Sequence, residues 1–169
     1  MKLLKSSIHD LGYWEVKSDL EPWAKGNKYA IEQLPVNDIW ASVPKAEIHR
    51  GKEFYGPLKK DIQKNGLRWP IMVVKATREQ VKYQKAKWQQ ALCDLPFWMA
   101  QDMSEIQLVV WGGSNRLYAA RELGYTHIDC AILPDFESAH RLQKVMREEY
   151  HEIYYEGDTD LKKKKKKKK

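Results

Sequence analysis

The stretch VVWGGSNRLYAARELGY, from Val109 to Tyr125, decides how this chain folds. It opens with two valines and a tryptophan, which are typical of a buried strand, and it closes with a helical run that a leucine-glycine pair stops. Gly112 and Gly113 stand between the two parts. Glycine adopts backbone angles that other residues avoid, so the pair predicts a tight turn from a strand directly into a helix.

The same turn predicts an anion site. A helix that starts directly after a strand exposes its first backbone N–H groups, and these groups and the helix dipole attract anions. Ser114 and Asn115 are suited to cap the helix or to donate to an oxygen, and Arg116 is suited to fork onto a phosphate. The alternative is a tight turn with a capped helix and a surface arginine. The stretch has neither the P-loop pattern nor the G-x-G-x-x-G spacing of dinucleotide-binding proteins.

Hydrophobic spacing and turn residues predict alternating strands and helices on either side of this stretch. Gly56 and Pro57 suit the first turn of a helix, and Asn65-Gly66 suits its stop. The apolar run Ile71–Val74 is typical of a strand covered on both faces, and Asp135 suits the cap of a last helix. Residues 29–42 are predicted to form a short strand followed by a turn at Pro35 or at Asn37-Asp38. The other predicted strands lie near 67–75, 107–111 and 126–133, and the predicted helices lie near 56–65, 76–103, 115–123 and 135–155.

This order predicts a compact α/β (α+β) domain, in which a mixed sheet is flanked by helices and carries a helical insert. We divide the chain into an N-terminal extension that lies on the domain (1–28), the domain itself (29–135, with the insert at 76–105), a C-terminal helix (136–156) and a lysine-rich tail (157–169). The strand at 126–133 alternates as a half-buried strand would, and Cys130 is expected to be a buried strand cysteine.

Length and composition bound the class of protein. At 169 residues, 43% hydrophobic and 31% charged, the chain has the composition of one soluble globular domain. No apolar run approaches the ~20 residues of a membrane span. The N-terminus has no apolar stretch long enough for a signal peptide. We therefore expect a cytoplasmic protein with no membrane partner.

The net charge of +7 comes from one segment, the eight consecutive lysines Lys162–Lys169. Without them the chain carries 22 basic and 23 acidic residues, a balance of −1. Eight like charges repel one another, so we expect a disordered tail. Such a tail attaches weakly and without sequence preference to nucleic acid, or it is simply a solvated end.

Two boxes of this sequence resemble the ParB/sulfiredoxin superfamily. The first is LKKDIQKNGLRWPIMVV and the second is LVVWGGSNRLYAARELGYTHIDCAIL. The resemblance covers about Ile31 to Leu133 and is interrupted by an insert near Ala76 to Glu105. The positions that match the family are Gly66, Pro70 and Ile71 in the first box, and Gly112, Arg116, Ala119, Ala120, Leu123 and Gly124 in the second.

The resemblance implies a ParB/sulfiredoxin-like fold in which Gly112–Arg116 holds the phosphates of a nucleotide. Members of this family bind CTP or ATP, so the implied ligand is a nucleoside triphosphate with Mg²⁺. At two points this sequence departs from the family, and these departures limit which family functions the resemblance implies. Ser114 and Asn115 stand where sulfiredoxin has its catalytic cysteine and a histidine, so we expect no sulfinic-acid reduction. Partition proteins have one more arginine in this box, and too few residues follow Leu133 for their DNA-binding and dimerisation domains.

Three functions are compatible with this resemblance. The first is a nucleotide-binding, DNA-associated ParB-like protein of the type found in phages and mobile elements. The second is a small-molecule kinase or other phosphoryl-transfer enzyme that resembles the free-serine kinase. The third is an interaction module with a degenerate nucleotide site.

Further candidates lie in the segment EIHRGKEF, residues 47–54. In the family this loop faces the nucleotide, so the resemblance suggests Arg50 as a phosphate ligand. It also adds Gly66 of the first box to the expected phosphate-binding residues. Glu47 and Glu53 are candidates for holding Mg²⁺ or acting as a catalytic base, and His49 is a weaker candidate base. The alternative is a solvated charged loop.

Two side-chain clusters suggest other partners. Trp88, Phe97 and Trp98, with Lys82, Lys85 and Lys87, form the aromatic and basic pattern that stacks single-stranded nucleic acid; the alternative is an amphipathic helix packed on the domain. The carboxylates near the C-terminus suggest a metal site or a solvated acidic face; they are Glu148, Glu149, Glu152 and Glu156. No metal ligand set is predicted with any specificity.

Overall fold

A computed structural model describes residues 1–41, 51–88 and 106–149, with the backbone alone for residues 51–54 and 84–88. The described residues form seven strands, four α-helices and two short 3₁₀ helices, at His9–Leu11 and Val36–Asp38. The strands are β1 (Leu3–Leu4), β2 (Tyr13–Glu15), β3 (Lys28–Pro35), β4 (Ile39–Trp40), β5 (Ile71–Thr77), β6 (Ile106–Val110) and β7 (His127–Leu133). The helices are α1 (Gly51–Asn65), α2 (Arg78–Trp88), α3 (Ser114–Glu122) and α4 (Phe136–Glu149).

The strands form one mixed sheet in the order β2-β3-β7-β5-β6-β4. Strands β5 and β7 are parallel, with Ile71 opposite Cys130, whereas β6 runs antiparallel to β5. The prediction of an α/β domain with a mixed sheet flanked by helices is therefore confirmed. The antiparallel pairing of β5 with β6 brings the end of β6 beside the start of β5, which is where the glycine turn begins.

Both faces of the sheet are covered, and alternate residues of β5 supply two separate cores. Met72 and Val74 lie in the core under α4, and Ile71 and Val73 lie in the core under α1 and α3. The continuous apolar run of β5 follows from this, because each side chain has a buried face to occupy. Strand β7 was expected to be half-buried; it is buried on both faces for the same reason, and Cys130 has no exposed surface.

The first residues of the chain belong to the sheet rather than lying on it. Strand β1 pairs in parallel with the first residues of β7, Leu3 opposite His127, and so continues the line of β5. Strand β2 adds antiparallel to the outer edge of β3. The predicted extension at 1–28 is therefore an integral part of the domain, held by pairing over a long distance in sequence.

Two element boundaries differ from the prediction. Helix α1 begins at Gly51 instead of at the Gly56 cap, so Pro57 lies inside it, on its exposed side. Strand β5 continues through Ala76 and Thr77, which were predicted to start the helical insert. Helix α2 begins after Thr77, and a reciprocal pair of hydrogen bonds between Thr77 and Gln80 caps it, at 3.1 and 2.8 Å. The predicted helical residues 89–103 and 150–155 and the lysine tail lie outside the described residues.

Candidate functional site

The glycine pair makes the turn from β6 into α3, as predicted. Gly112 and Gly113 have φ values of +103° and +133°, which L side chains rarely adopt. The start of β5 also leaves no room for side chains there. A Cβ on Gly113 would lie 2.5 Å from Cγ2 of Ile71, and one on Gly112 would lie 2.8 Å from Cε of Met72. At Gly113 the backbone angle and close packing both require glycine, whereas at Gly112 the backbone angle requires it and the close contact is with the flexible end of Met72.

Helix α3 starts without a side-chain cap. Gly113 is its N-cap residue, and the carbonyl of Gly113 accepts the first helical hydrogen bond, from the N–H of Leu117 at 2.9 Å. The prediction that Ser114 or Asn115 caps this helix is wrong, because both lie inside its first turn. Helix α4, by contrast, has the predicted Asp135 cap, with Oδ1 2.7 Å from the N–H of Ser138. No acidic residue lies in the first turn of α3, so the positive end of its dipole is not offset there.

Arg116 joins this turn to the segment that precedes β5. Its guanidinium donates to the carbonyl oxygen of Trp69 at 2.7 Å, to that of Pro70 at 3.2 Å and to that of Gly112 at 3.4 Å. The side chain is half-buried and is not the surface arginine of the alternative interpretation. The arrangement makes Arg116 a residue that positions the turn, and its charge stays within the first turn of α3.

Gly66 takes the predicted place at the stop of α1. Its φ is +78°, and its N–H donates to the carbonyl of Ile62 at 2.9 Å. The chain then passes through Trp69 and Pro70, the two residues whose carbonyls accept from Arg116. Gly66 is thus linked to the glycine turn through that segment.

The candidate catalytic residues lie largely outside the described part of the chain. Glu47, His49 and Arg50 are outside it, and of Glu53 only the backbone is described, in the first turn of α1. Their predicted roles stay predictions. The described part of α1 is joined to α3 by the hydroxyl of Tyr55, which donates to Oε1 of Glu122 at 2.5 Å. Burial, and next the hydrogen bond to Glu122, raise the pKa of Tyr55 well above its usual range.

The aromatic and basic cluster of the insert is described only at its beginning. Trp88 is the last residue of α2, and only its backbone is described. Phe97 and Trp98 lie outside the described residues. Lys82 is exposed on α2. A role of this cluster in nucleic-acid stacking stays a prediction.

The acidic cluster near the C-terminus contacts the N-terminal segment. Oε1 of Glu149 accepts the backbone N–H groups of Lys17 and Ser18, and Glu148 accepts the hydroxyl of Ser18 at 2.9 Å. Glu152 and Glu156 lie outside the described residues. Within residues 1–41, 51–88 and 106–149, no three His, Cys, Asp or Glu side chains are grouped so that they could hold a metal ion.

Sequence reasoning missed a buried polar cluster around Asp129. The carboxylate of Asp129 is fully buried and accepts the N–H and the hydroxyl of Ser6, both at 2.8 Å, Nδ1 of His9 at 2.9 Å, and the amide of Gln33. These donors compensate the burial of the charge and hold the N-terminal segment to β7. The only signal in the sequence is an aspartate within the apolar run THIDCAIL.

Compared with known proteins, this chain matches no protein-family model and no curated protein. In the part of the chain that the structure describes, no helix has the length and apolar character needed to cross a bilayer.

Proposed function

We propose that this chain is a nucleotide-binding protein of the ParB-like type that holds triphosphate oxygens at the start of α3. The observation that carries the proposal is the turn itself: a strand enters a helix through two glycines, and neither a side-chain cap nor an acidic residue is present at that helix start. Backbone N–H groups aimed from such a start, together with the helix dipole, bind phosphate in many proteins.

The proposal assigns different tasks to the residues of the turn. Gly112 and Gly113 make the tight turn into α3, and the backbone N–H groups of Ser114 and Asn115 donate to the phosphate. Arg116 contributes its positive charge while its hydrogen bonds to Trp69, Pro70 and Gly112 keep the turn in place. This differs from a direct phosphate fork, because the guanidinium already donates to three carbonyls.

We take the class of ligand and the association with DNA from the resemblance to the ParB/sulfiredoxin superfamily. The ligand is ATP or CTP with Mg²⁺, and the protein is DNA-associated. The lysine tail supplies the charge for non-specific attachment to nucleic acid, because the rest of the chain has a balance of −1. Arg50, Glu47 and Glu53 are the additional residues that the resemblance assigns to the nucleotide and its ion.

Calorimetry with ATP, CTP and GTP, each with Mg²⁺, tests the proposal by comparing the unaltered chain with the variant Asn115→Asp. A carboxylate in the first turn of α3 interacts favourably with the helix dipole, so the melting temperature should hold or rise slightly. The same carboxylate repels phosphate, so nucleotide affinity should fall by about ten-fold or more. Asn37→Asp, at an exposed position of the short 3₁₀ helix between β3 and β4, is the matched control and should change neither quantity.

Two results would contradict the proposal. One is that none of the three nucleotides binds at millimolar concentration. The other is that Asn115→Asp binds a nucleotide as tightly as the unaltered chain. In either case the glycine turn serves only to pack the start of α3 against β5. The third function, an interaction module with a degenerate nucleotide site, then replaces nucleotide binding as the proposal.

A further inference from the structure

The N-terminal segment and the glycine turn are both bound to the residues that lead into β5. Ser6 pairs in parallel with Leu67. Arg116, in the first turn of α3, donates to the carbonyls of Trp69 and Pro70. The N-terminal segment is therefore held at the same end of the sheet as the start of α3.

The register of the sheet gives the spacing between the buried Asp129 and the glycine turn. Cys130 lies opposite Ile71 at the start of β5, and a Cβ on Gly113 would lie 2.5 Å from Cγ2 of the same Ile71. Asp129 precedes Cys130, so the start of β5 alone separates it from the turn at the end of β6. Neighbouring strands lie about 4.8 Å apart, and two such spacings place the backbones of Asp129 and Gly113 roughly 10 Å apart.

His9 lies at this end of the sheet and is oriented by the buried carboxylate. Its Nδ1 lies 2.9 Å from Oδ1 and 3.0 Å from Oδ2 of Asp129. An ionised carboxylate only accepts hydrogen bonds, so Nδ1 carries the proton of the neutral ring and Nε2 is left as the acceptor. The side chain of His9 is 29% exposed, and Nε2 has no hydrogen-bond partner within residues 1–41, 51–88 and 106–149. An imidazole that a buried carboxylate holds through Nδ1, with Nε2 open, has the arrangement of a general base.

We propose that His9 is the general base in the hydrolysis of the nucleoside triphosphate held at the start of α3. Nε2 takes a proton from a water molecule while the oxygen of that water bonds to the γ-phosphorus. The bond from the γ-phosphorus to the oxygen that bridges it to the β-phosphate breaks, and the bonding electrons stay on that oxygen. The products are a nucleoside diphosphate and inorganic phosphate, and the proton on Nε2 then passes to the solvent.

The proposal gives the N-terminal segment a task in addition to its place in the sheet. Asp129 is a positioning residue, because it fixes the tautomer and the orientation of the His9 ring. His9 precedes the part of the chain that resembles the ParB/sulfiredoxin superfamily, so the resemblance does not assign it a role. The inference rests on the proposed nucleotide site, because that site supplies the substrate.

The variant His9→Asn separates the base from the hydrogen bond. The amide of asparagine still donates to Asp129, but it cannot take a proton from water. We expect phosphate release from ATP or CTP, each with Mg²⁺, to fall by about 10²- to 10⁴-fold in kcat, with the nucleotide affinity and the melting temperature unchanged. The matched control is His127→Asn, because Nδ1 of His127 lies 2.9 Å from the hydroxyl of Thr126 rather than from a carboxylate. Hydrolysis within two-fold of the unaltered chain in His9→Asn, or an equal loss in both variants, would overturn the proposal.

Rescue by added imidazole distinguishes proton transfer from a structural role. In His9→Gly, imidazole in solution should restore part of the hydrolysis. With methyl-substituted imidazoles of similar size, the restored rate should rise with the basicity of the compound, because a general base follows Brønsted behaviour. A restored rate that is independent of basicity, or no rescue in a variant that folds and binds nucleotide, would overturn the role of His9.

The unaltered chain separates failure of this inference from failure of the proposed nucleotide site. Calorimetry measures binding, and phosphate release measures turnover. If the chain binds ATP or CTP but releases no phosphate, the nucleotide site stands and the role of His9 is overturned. If it binds no nucleotide at millimolar concentration, the nucleotide site fails and the role of His9 fails with it.

Discussion

Replacement of Arg116 by alanine should destabilise the domain strongly, because the guanidinium joins the glycine turn to the segment before β5. Hydrogen bonds from charged donors contribute about 1.5–3 kcal/mol each. Arg116 makes two at 2.7 and 3.2 Å and a longer one at 3.4 Å, and contacts that share one group are not additive. We therefore expect a loss of about 3 kcal/mol in the free energy of unfolding, out of the ~5–15 kcal/mol of a typical domain.

Urea and thermal unfolding measure this loss. For a chain of this size a loss of about 3 kcal/mol lowers the melting temperature by about 6–12 °C. Arg116→Lys should recover less than half of it, because a single ammonium group cannot reach the carbonyls of the segment before β5 and of Gly112 at the same time. The control is Arg147→Ala, at an exposed arginine in the last turn of α4, for which we expect less than about 1 kcal/mol. A loss below about 1 kcal/mol for Arg116→Ala would refute the positioning role and return the arginine to the direct phosphate fork.

Three further variants test other parts of the account. Gly113→Ala should lower the free energy of unfolding by about 3 kcal/mol or more, because its φ is +133° and an added Cβ clashes with β5. Gly12→Ala, whose φ is +77° but whose Cβ would lie in open space, should lower it by only about 1 kcal/mol. Equal losses for the two variants in urea unfolding would contradict the packing argument. Asp129→Asn should lose about 2–4 kcal/mol because it replaces a buried carboxylate that accepts four hydrogen bonds, and a loss under 1 kcal/mol would show that the cluster is not what holds the N-terminal segment. Burial raises the pKa of the Cys130 thiol well above its usual range. In a Cys93→Ser variant, the native protein should therefore not react with a disulfide reagent at pH 8 but should react fully once unfolded. Rapid reaction of the native protein would contradict the burial of Cys130.

The elements near the glycine turn could be predicted because their signals are local. The valines before Gly112, the glycine pair and the leucine-glycine stop specify a strand, a turn and a helix without help from the rest of the chain. The apolar run of β5 likewise predicted burial on both faces. The start of α1 was predicted wrongly, because Pro57 is favoured in a first turn, yet the structure tolerates it inside the helix on the exposed side.

The parts that could not be predicted depend on contacts between residues distant in sequence. Leu3 pairs with His127, and nothing in either segment indicates the other. Asp129 is satisfied by Ser6 and His9, more than a hundred positions away. Two of the three acceptors of Arg116, the carbonyls of Trp69 and Pro70, precede it by more than forty positions. The sequence correctly placed this arginine beside a helix start but could not show that it bonds to the backbone of that distant segment.

The most direct test of the central proposal is the response of the backbone N–H groups at the start of α3 to a nucleotide. In ¹⁵N-edited NMR spectra of the intact chain, titration with ATP or CTP and Mg²⁺ should shift the amide signals of Gly113, Ser114 and Asn115 with one common saturation curve. The N–H groups that donate to a phosphate oxygen should shift most, and the amides of Glu79 and Glu137, beyond the far ends of β5 and β7, should not move. Unchanged signals at the turn up to millimolar nucleotide, or larger shifts elsewhere in the domain, would contradict the proposal that this turn binds phosphate.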